Sequence, residues 1–210
     1  MQEVLPGVFI VPFDDRKGFG YAHFVRRAGG NLLLDASRVG SLSDSFPQFE
    51  QAGGIKAVVI SDRHLGGGST NELARRFGAQ VYCSEIEAAA MAHRVQAVTI
   101  DHALPFERTT IDDGVELIPT PGHTEGQFST LAEVEGARVL FTPDFVWRED
   151  GRWRPGAASR KRMVRGFEGL RGLAFDFVVP YTSYKQTEFF VGVASVDAAV
   201  DEMIAACPKP

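Results

Sequence analysis

The side chains best suited to chemistry stand at the ends of apolar runs. In VVISDRHLGGGST a β-forming stretch stops at Ser61 and delivers Asp62, Arg63 and His64, with Gly66, Gly67 and Gly68 close behind. In IPTPGHTEG a run ends at Thr120, and a Pro-Gly turn presents His123 at the head of the next strand. In VLFTPDFV, Asp144 stands just past a third apolar run. A histidine on a tight turn suits metal ligation or acid-base work. Three strand ends carrying His or Asp make an arrangement in which rigid elements hold a metal ion. Each residue also has a plainer reading. Asp62 with Arg63 forms a helix cap or surface pair, the glycines form a flexible turn, and His64 and His123 serve as ordinary loop histidines.

The elements that must position these residues read as layers. GVFIVPF, YAHFVRR and NLLLDAS are short β-rich runs separated by Asp, Gly and Lys, as in an antiparallel meander. DSFPQFEQAGG reads as a helix stopped by Gly53-Gly54, and IKAVVIS as a strand buried on both faces. STNELARRFG is a helix with Ser69 or Thr70 as its N-cap and Gly78 at its stop. AQVYCS, EIEAAAMAHR and AVTI continue strand, helix, strand, with Asp101-His102 as a loop. VELIPT, QFSTLAEV and ARVLFT are strands, the last two joined by a Glu135-Gly136 turn. The remainder reads as a loop rich in Arg and Trp, a helix around MVRGFEGLRGL, the strand FDFVVP and a helix near SVDAAVDEMIAA. Two strand-rich segments, each followed by helices, suggest two sheets with helices outside them.

Bulk properties narrow the classes. A chain of 210 residues can bury one sizeable core and is expected to form a single domain, 1–210. Hydrophobic content of 44%, charged content of 23% and a net charge of -5 argue against a large non-specific nucleic-acid surface. The expected partner is a small molecule, with no nucleic acid and no membrane. Cys83 and Cys207 provide neither a disulfide framework nor a metal clip, which fits a reducing compartment. No apolar run nears the roughly 18 residues that span a bilayer. The N-terminus lacks the plan of a signal peptide. A cytoplasmic protein is the expectation.

Order and spacing of these motifs resemble the metallo-β-lactamase-fold superfamily, the group containing glyoxalase II-like hydrolases. LLLDAS is similar to that family's LLIDTG, and PGHTEG followed by VLFTPD resembles its third-histidine and bridging-Asp segments. The resemblance runs over nearly the whole chain. It implies an α/β fold, a four-layer αββα sandwich of two mixed sheets with helices on both outer faces, with a metal site at one edge.

The departures matter as much. The family's H-x-H-x-D-H is here D-R-H-L-G-G, so Asp62 stands at the first His, His64 at the second, and Gly66 and Gly67 at the Asp and final His. The family's Gly before the bridging Asp is Pro143, and Thr182 stands where its last His is expected. The resemblance therefore implies one metal on Asp62, His64, His123 and Asp144, and loss of a second ion. An alternative register, with His64 at the final His of the motif, would place the first ligand at Val59 inside the strand. A set of two His and two carboxylates suits one divalent transition metal: zinc, iron or manganese.

Other candidates carry less. His23 alternates with Tyr21 and Val25 and either points at the site or is satisfied within the sheet. His93 ends a helix, where it meets the dipole. Asp35 resembles the family residue that braces the site loops. WREDGRWRPGAASRKRMVRG packs seven cations with Trp147 and Trp153, either as a solvated face or as a surface for an anionic ligand. Arg148, Tyr181 and Thr182 are the candidate substrate contacts. Two functions follow: a divergent hydrolase of a small ester, thioester or lactone, or a non-catalytic relative binding an anionic small molecule or a partner protein.

Overall fold

A computed structural model describes residues 1–13, 20–36, 41–93, 98–156, 159–180 and 188–208. The backbone divides into two compact units, Met1–Pro105 and Phe106–Pro210. The first carries a seven-stranded mixed sheet in sequence order. β1 (Gln2–Leu5), β2 (Val8–Pro12), β3 (Tyr21–Val25) and β4 (Leu32–Leu34) run antiparallel. β5 (Ala57–Val59), β6 (Gln80–Ser84) and β7 (His102–Leu104) then add in parallel. Parallel neighbours need crossovers. These contain α1 (Phe46–Gln51), α2 (Gly68–Phe77) and α3 (Glu85–Met91). The helices bury an aromatic cluster: Phe49 stacks on Phe24 at 5.3 Å between ring centroids, and Phe77 meets Phe46 edge-on at 5.7 Å.

The second unit carries a six-stranded sheet in the order β15-β14-β11-β10-β9-β8. Its strands are β8 (Thr109–Asp112), β9 (Val115–Pro119), β10 (Phe128–Val134), β11 (Ala137–Thr142), β14 (Phe177–Pro180) and β15 (Val191–Gly192). β11 and β14 are parallel; the other pairs are antiparallel. The crossover between those two holds a separate hairpin, β12 (Val146–Glu149) with β13 (Arg152–Pro155), and then α4 (Arg160–Glu168). α5 (Val196–Ala206) closes the unit. Phe145, Trp153, Met163, Phe167 and Met203 fill its core. Among the described residues no helix is long and apolar enough to cross a membrane.

The structure corrects the sequence reading in three places. The segment Val98–Ile100 is not a strand; the sheet resumes at His102, where a loop is expected. Asp101 sets that start, because its carboxylate accepts from the Val81 amide while its own amide donates to the Val81 carbonyl. The helix after the glycines begins at Gly68, with Gly67 rather than Ser69 or Thr70 as N-cap. Thr70 instead turns its hydroxyl back to the Gly67 amide at 3.4 Å. Finally, the Arg/Trp loop is the β12/β13 hairpin. Its Asp150-Gly151 turn has φ of 50° and 69°, the left-handed pair a two-residue hairpin loop requires.

Candidate metal centre

In the first unit β5 runs into a turn whose amides are almost all spoken for. Asp35, itself at φ 63°, accepts from the Ser61 amide through Oδ1 at 3.0 Å, the bracing role expected of it. Asp62 is fully buried. Its Oδ1 accepts from the His64 amide at 2.7 Å, and its carbonyl accepts from the Leu65 amide at 3.1 Å. The tight turn brings His64 Nδ1 to 3.4 Å from the same Oδ1. Arg63, between them, points the other way and forks onto the buried carboxylate of Glu87. Gly66 is packed: a Cβ there would stand 3.0 Å from Ile60 Cδ1 and 3.1 Å from Met91 Sδ.

In the second unit the PGHT turn is fastened at both ends. The Thr120 amide donates to the Gln127 carbonyl at 2.9 Å, and the Gly122 amide to the Thr124 carbonyl at 3.0 Å. Gly122 lies flat against Met163, where a Cβ would come within 2.7 Å of the sulfur. His123 Nδ1 is 3.0 Å from the Gly156 carbonyl. A carbonyl can only accept, so Nδ1 is the donor in this contact, and in the neutral form of the ring the lone pair stands on Nε2. Nε2 lies 3.7 Å from Asp144 Oδ2. Gly156 also touches the other member of the pair, since a Cβ on it would fall 1.9 Å from the Asp144 carbonyl oxygen.

The four candidate ligands are thus set as two His/carboxylate pairs, one in each unit. Of the candidate substrate contacts, Tyr181 and Thr182 lie outside the described residues. Arg148 is half-buried, 2.9 Å from Glu188 Oε2, with its guanidinium over the Trp153 ring. The basic run is divided by the fold. Arg154 pairs with Glu149, while Arg162 and Arg165 join Arg108, Arg171 and Phe106 around a groove of about 660 Å³. Glu116, Glu125, Glu168 and Asp201 pair with three of those four arginines, so the groove is not a field of bare positive charge.

His23 is buried in β3, where burial lowers its imidazole to about 4. His102 stacks on Tyr82 at 4.5 Å and contacts Gln80. Two residues that organise the pairs, Glu87 and Gly156, escaped the sequence reading. Ser84 and Glu87 have the spacing of a helix capping box, which marks Glu87 only as a helix-start residue, and Pro155-Gly156 reads as a turn.

No family model matches the chain. Among curated proteins, a probable DNA ligase of Opitutus terrae is 37% identical over 89 residues, which are 40% of this chain. The chain spans about 9% of that ligase's length. Solved structures agree over far more. A metallo-β-lactamase of Cronobacter sakazakii with an HARLDQ motif has a TM-score of 0.61 at 22% identity, over 85% of this chain and 79% of its own. The Rm3 metallo-β-lactamase has 0.65 at 17%, over 98% and 92%. BJP-1, a subclass B3 metallo-β-lactamase of Bradyrhizobium japonicum, has 0.57 at 18%, over 86% and 76%. At these identities the likeness shows the fold: this chain has the metallo-β-lactamase fold.

Proposed function

We propose that the protein is a metal-dependent hydrolase with a single divalent transition metal, zinc, iron or manganese, on Asp62, His64, His123 and Asp144. The observation that carries the proposal is the spacing within each pair. Ligand atoms about 2.0–2.1 Å from a tetrahedral zinc lie about 3.4 Å apart. The pairs measure 3.4 Å and 3.7 Å, longer than good hydrogen bonds and close to what two ligands of one ion adopt. Each of the four offers one ligand atom of the right type. His123 has the further mark of a ligand, a carbonyl on its far nitrogen that fixes the tautomer.

Charge supports the same reading. Asp35, Asp62 and Glu87 are all buried in the first unit; burial of the Cys83 thiol, and after it the charges of Glu87, Asp62 and Asp35, push that thiol well above its usual range. Buried carboxylates are retained where cations or donors meet them. Arg63 meets Glu87, and a metal ion would meet Asp62. Gly66 and Gly67 offer no side-chain donor for a second ion.

When bound, the ion supplies Lewis acidity and lowers the pKa of water, an effect that two carboxylate ligands weaken. The chain's own residues orient the ligands: Gly156 holds the His123 ring, and the Asp62 carboxylate holds the His64 amide. We propose a small ester, thioester or lactone as substrate, with an anionic group, rather than nucleic acid or membrane, and a cytoplasmic setting. Gly66, standing where the resemblance expects an Asp, favours a second reading: a non-catalytic protein binding such a ligand.

Elemental analysis of protein purified without chelator tests the proposal. One equivalent of transition metal, lost in His123→Ala, is expected; metal-free wild type overturns it. Turnover across thioesters and lactones separates the hydrolase from the binder, and a metal-loaded protein inert on all of them favours the binder.

A further inference from the structure

We infer that Arg63 and Glu87 form a positioning clamp that sets the Asp62/His64 turn in its ligand geometry before any ion arrives. The purpose of the clamp rests on the metal reading above; its existence as a local brace does not. Three donors converge on one buried carboxylate. Glu87 Oε2 accepts from the Arg63 amide and from Arg63 Nε, each at 2.8 Å, and Oε1 accepts from the second arm of the guanidinium at 2.9 Å. One carboxylate therefore fixes both the side chain and the backbone of residue 63. Fixing the Arg63 amide fixes the peptide that joins it to Asp62, and with it the direction in which the Asp62 side chain leaves the strand.

The neighbours show that this is a property of the turn rather than of one pair. The Ser61 amide donates to Asp35, the Arg63 amide to Glu87 and the His64 amide to Asp62. Three of four consecutive amides thus end on carboxylates. Hydrogen bonds to charged acceptors are about twice as strong as neutral ones, and a bidentate guanidinium adds orientation to strength. Where Glu87 comes from matters too. It is the third residue of α3, and its amide donates to the Ser84 hydroxyl, so the helix start is capped by Ser84. The Glu87 side chain spans 24 residues of sequence to reach a different segment. A carboxylate needed only as a helix cap has no reason to bind a backbone amide there.

An ion pair with one buried member, as Glu87 is here, is weak evidence for stability, because apolar residues often replace a buried pair at no cost. Its value here is geometric. Arg63 also keeps Glu87 engaged as a neutral pair, so the carboxylate beside the ligand turn does not compete with Asp62 for a cation.

The test compares wild type, Glu87→Gln and Arg63→Lys, each as the metal-free full chain, by hydrogen exchange of peptides covering residues 61–67. Glu87→Gln is expected to speed exchange in that turn at least tenfold relative to peptides from β5 and β6. Arg63→Lys keeps the charge and the amide bond but loses the fork, and is expected to fall in between. Exchange in the turn within twofold of wild type overturns the inference, as does a uniform rise across the sheet, which marks a pair serving global stability alone. Should Glu87→Gln fail to fold, Arg63→Lys, whose side chain is partly exposed, decides by the same ratio. Titration with cobalt(II) then reads the consequence, an affinity about 10–100-fold weaker in Glu87→Gln. Wild type that binds no cobalt sinks the metal reading, and the exchange ratio still judges the clamp.

Discussion

Substituting Gly156 by Ala tests the geometry of the second pair most directly. Its φ is not left-handed, so an alanine meets no backbone penalty there. The constraint is proximity: the added carbon would lie 1.9 Å from the Asp144 carbonyl oxygen and 3.1 Å from the carbon behind it. Carbon and oxygen tolerate roughly 3.3 Å. The two backbones must therefore part by about 1.4 Å, and neither is a flexible side-chain tip that can rotate away. Overpacking of this kind costs about 1–3 kcal/mol, and a backbone obstacle puts Gly156→Ala near the upper end. At a urea slope of about 2 kcal/mol/M, that lowers the midpoint by about 1.5 M. The same movement drags the carbonyl from His123 and displaces Asp144, so metal affinity should fall by about 10–100-fold. Gly151→Ala is the control. It has φ 69° and nothing within 4 Å, so it should cost about 1–2 kcal/mol of backbone strain while leaving metal affinity unchanged. Gly156→Ala with a midpoint within 0.2 M of wild type, or with a lowered midpoint while metal affinity holds, would refute the reasoning.

His23 gives stability a pH dependence of defined sign. Its folded value is lowered to about 4 from 6.5, so between these the unfolded chain binds a proton that the folded chain refuses. Stability should fall by about 2–3 kcal/mol from pH 7.5 to 4.5, and urea melts of His23→Gln should lack that share of the slope. Zinc at about 100 times its dissociation constant should stabilise the protein by about 2.7 kcal/mol and raise the melting temperature by roughly 5–10 °C, reversed by chelator. An unmoved melting temperature counts against the single-ion site. Gly66→Asp should lose about 2–4 kcal/mol, since its side chain would crowd Ile60 and Met91 in a buried place. It should gain no second equivalent of metal by elemental analysis; two equivalents at wild-type stability would show that the glycine marks only a lost ligand.

Much of the fold is legible where side-chain pattern and backbone need coincide. β5 is a run of apolar β-formers because both its faces are buried, and the β10/β11 hairpin is announced by Glu135-Gly136, with φ of 49° and 81°. The β12/β13 hairpin carries the same kind of signal in Asp150-Gly151. It was hidden by composition, because Arg152 and Arg154 point outward while Trp153 alone is buried between them. One apolar residue in three does not look like a strand unless the turn is read first. At β7 the difficulty is reversed: Val98–Ile100 looks more like a strand than His102–Leu104, but the pairing of Asp101 with Val81 decides where the sheet resumes.

The candidate site divides along a physical line. Asp62, His64, His123 and Asp144 are legible as candidate ligands because a ligand acts through its side-chain type, and type is what a sequence records. The residues that aim them act through the backbone. Gly156 contributes a carbonyl, which every residue has, and is singled out only by what must not be attached to its Cα. Glu87 contributes a carboxylate, but its chief acceptor contact is an amide 24 residues away, for which no spacing rule exists. Gly66 is the instructive middle case. Against a family motif it reads as a missing donor; in the structure it also reads as a residue packed so closely that even a Cβ would press on Ile60 and Met91. A glycine in a ligand motif is thus two observations at once, and the cost of replacing it separates them.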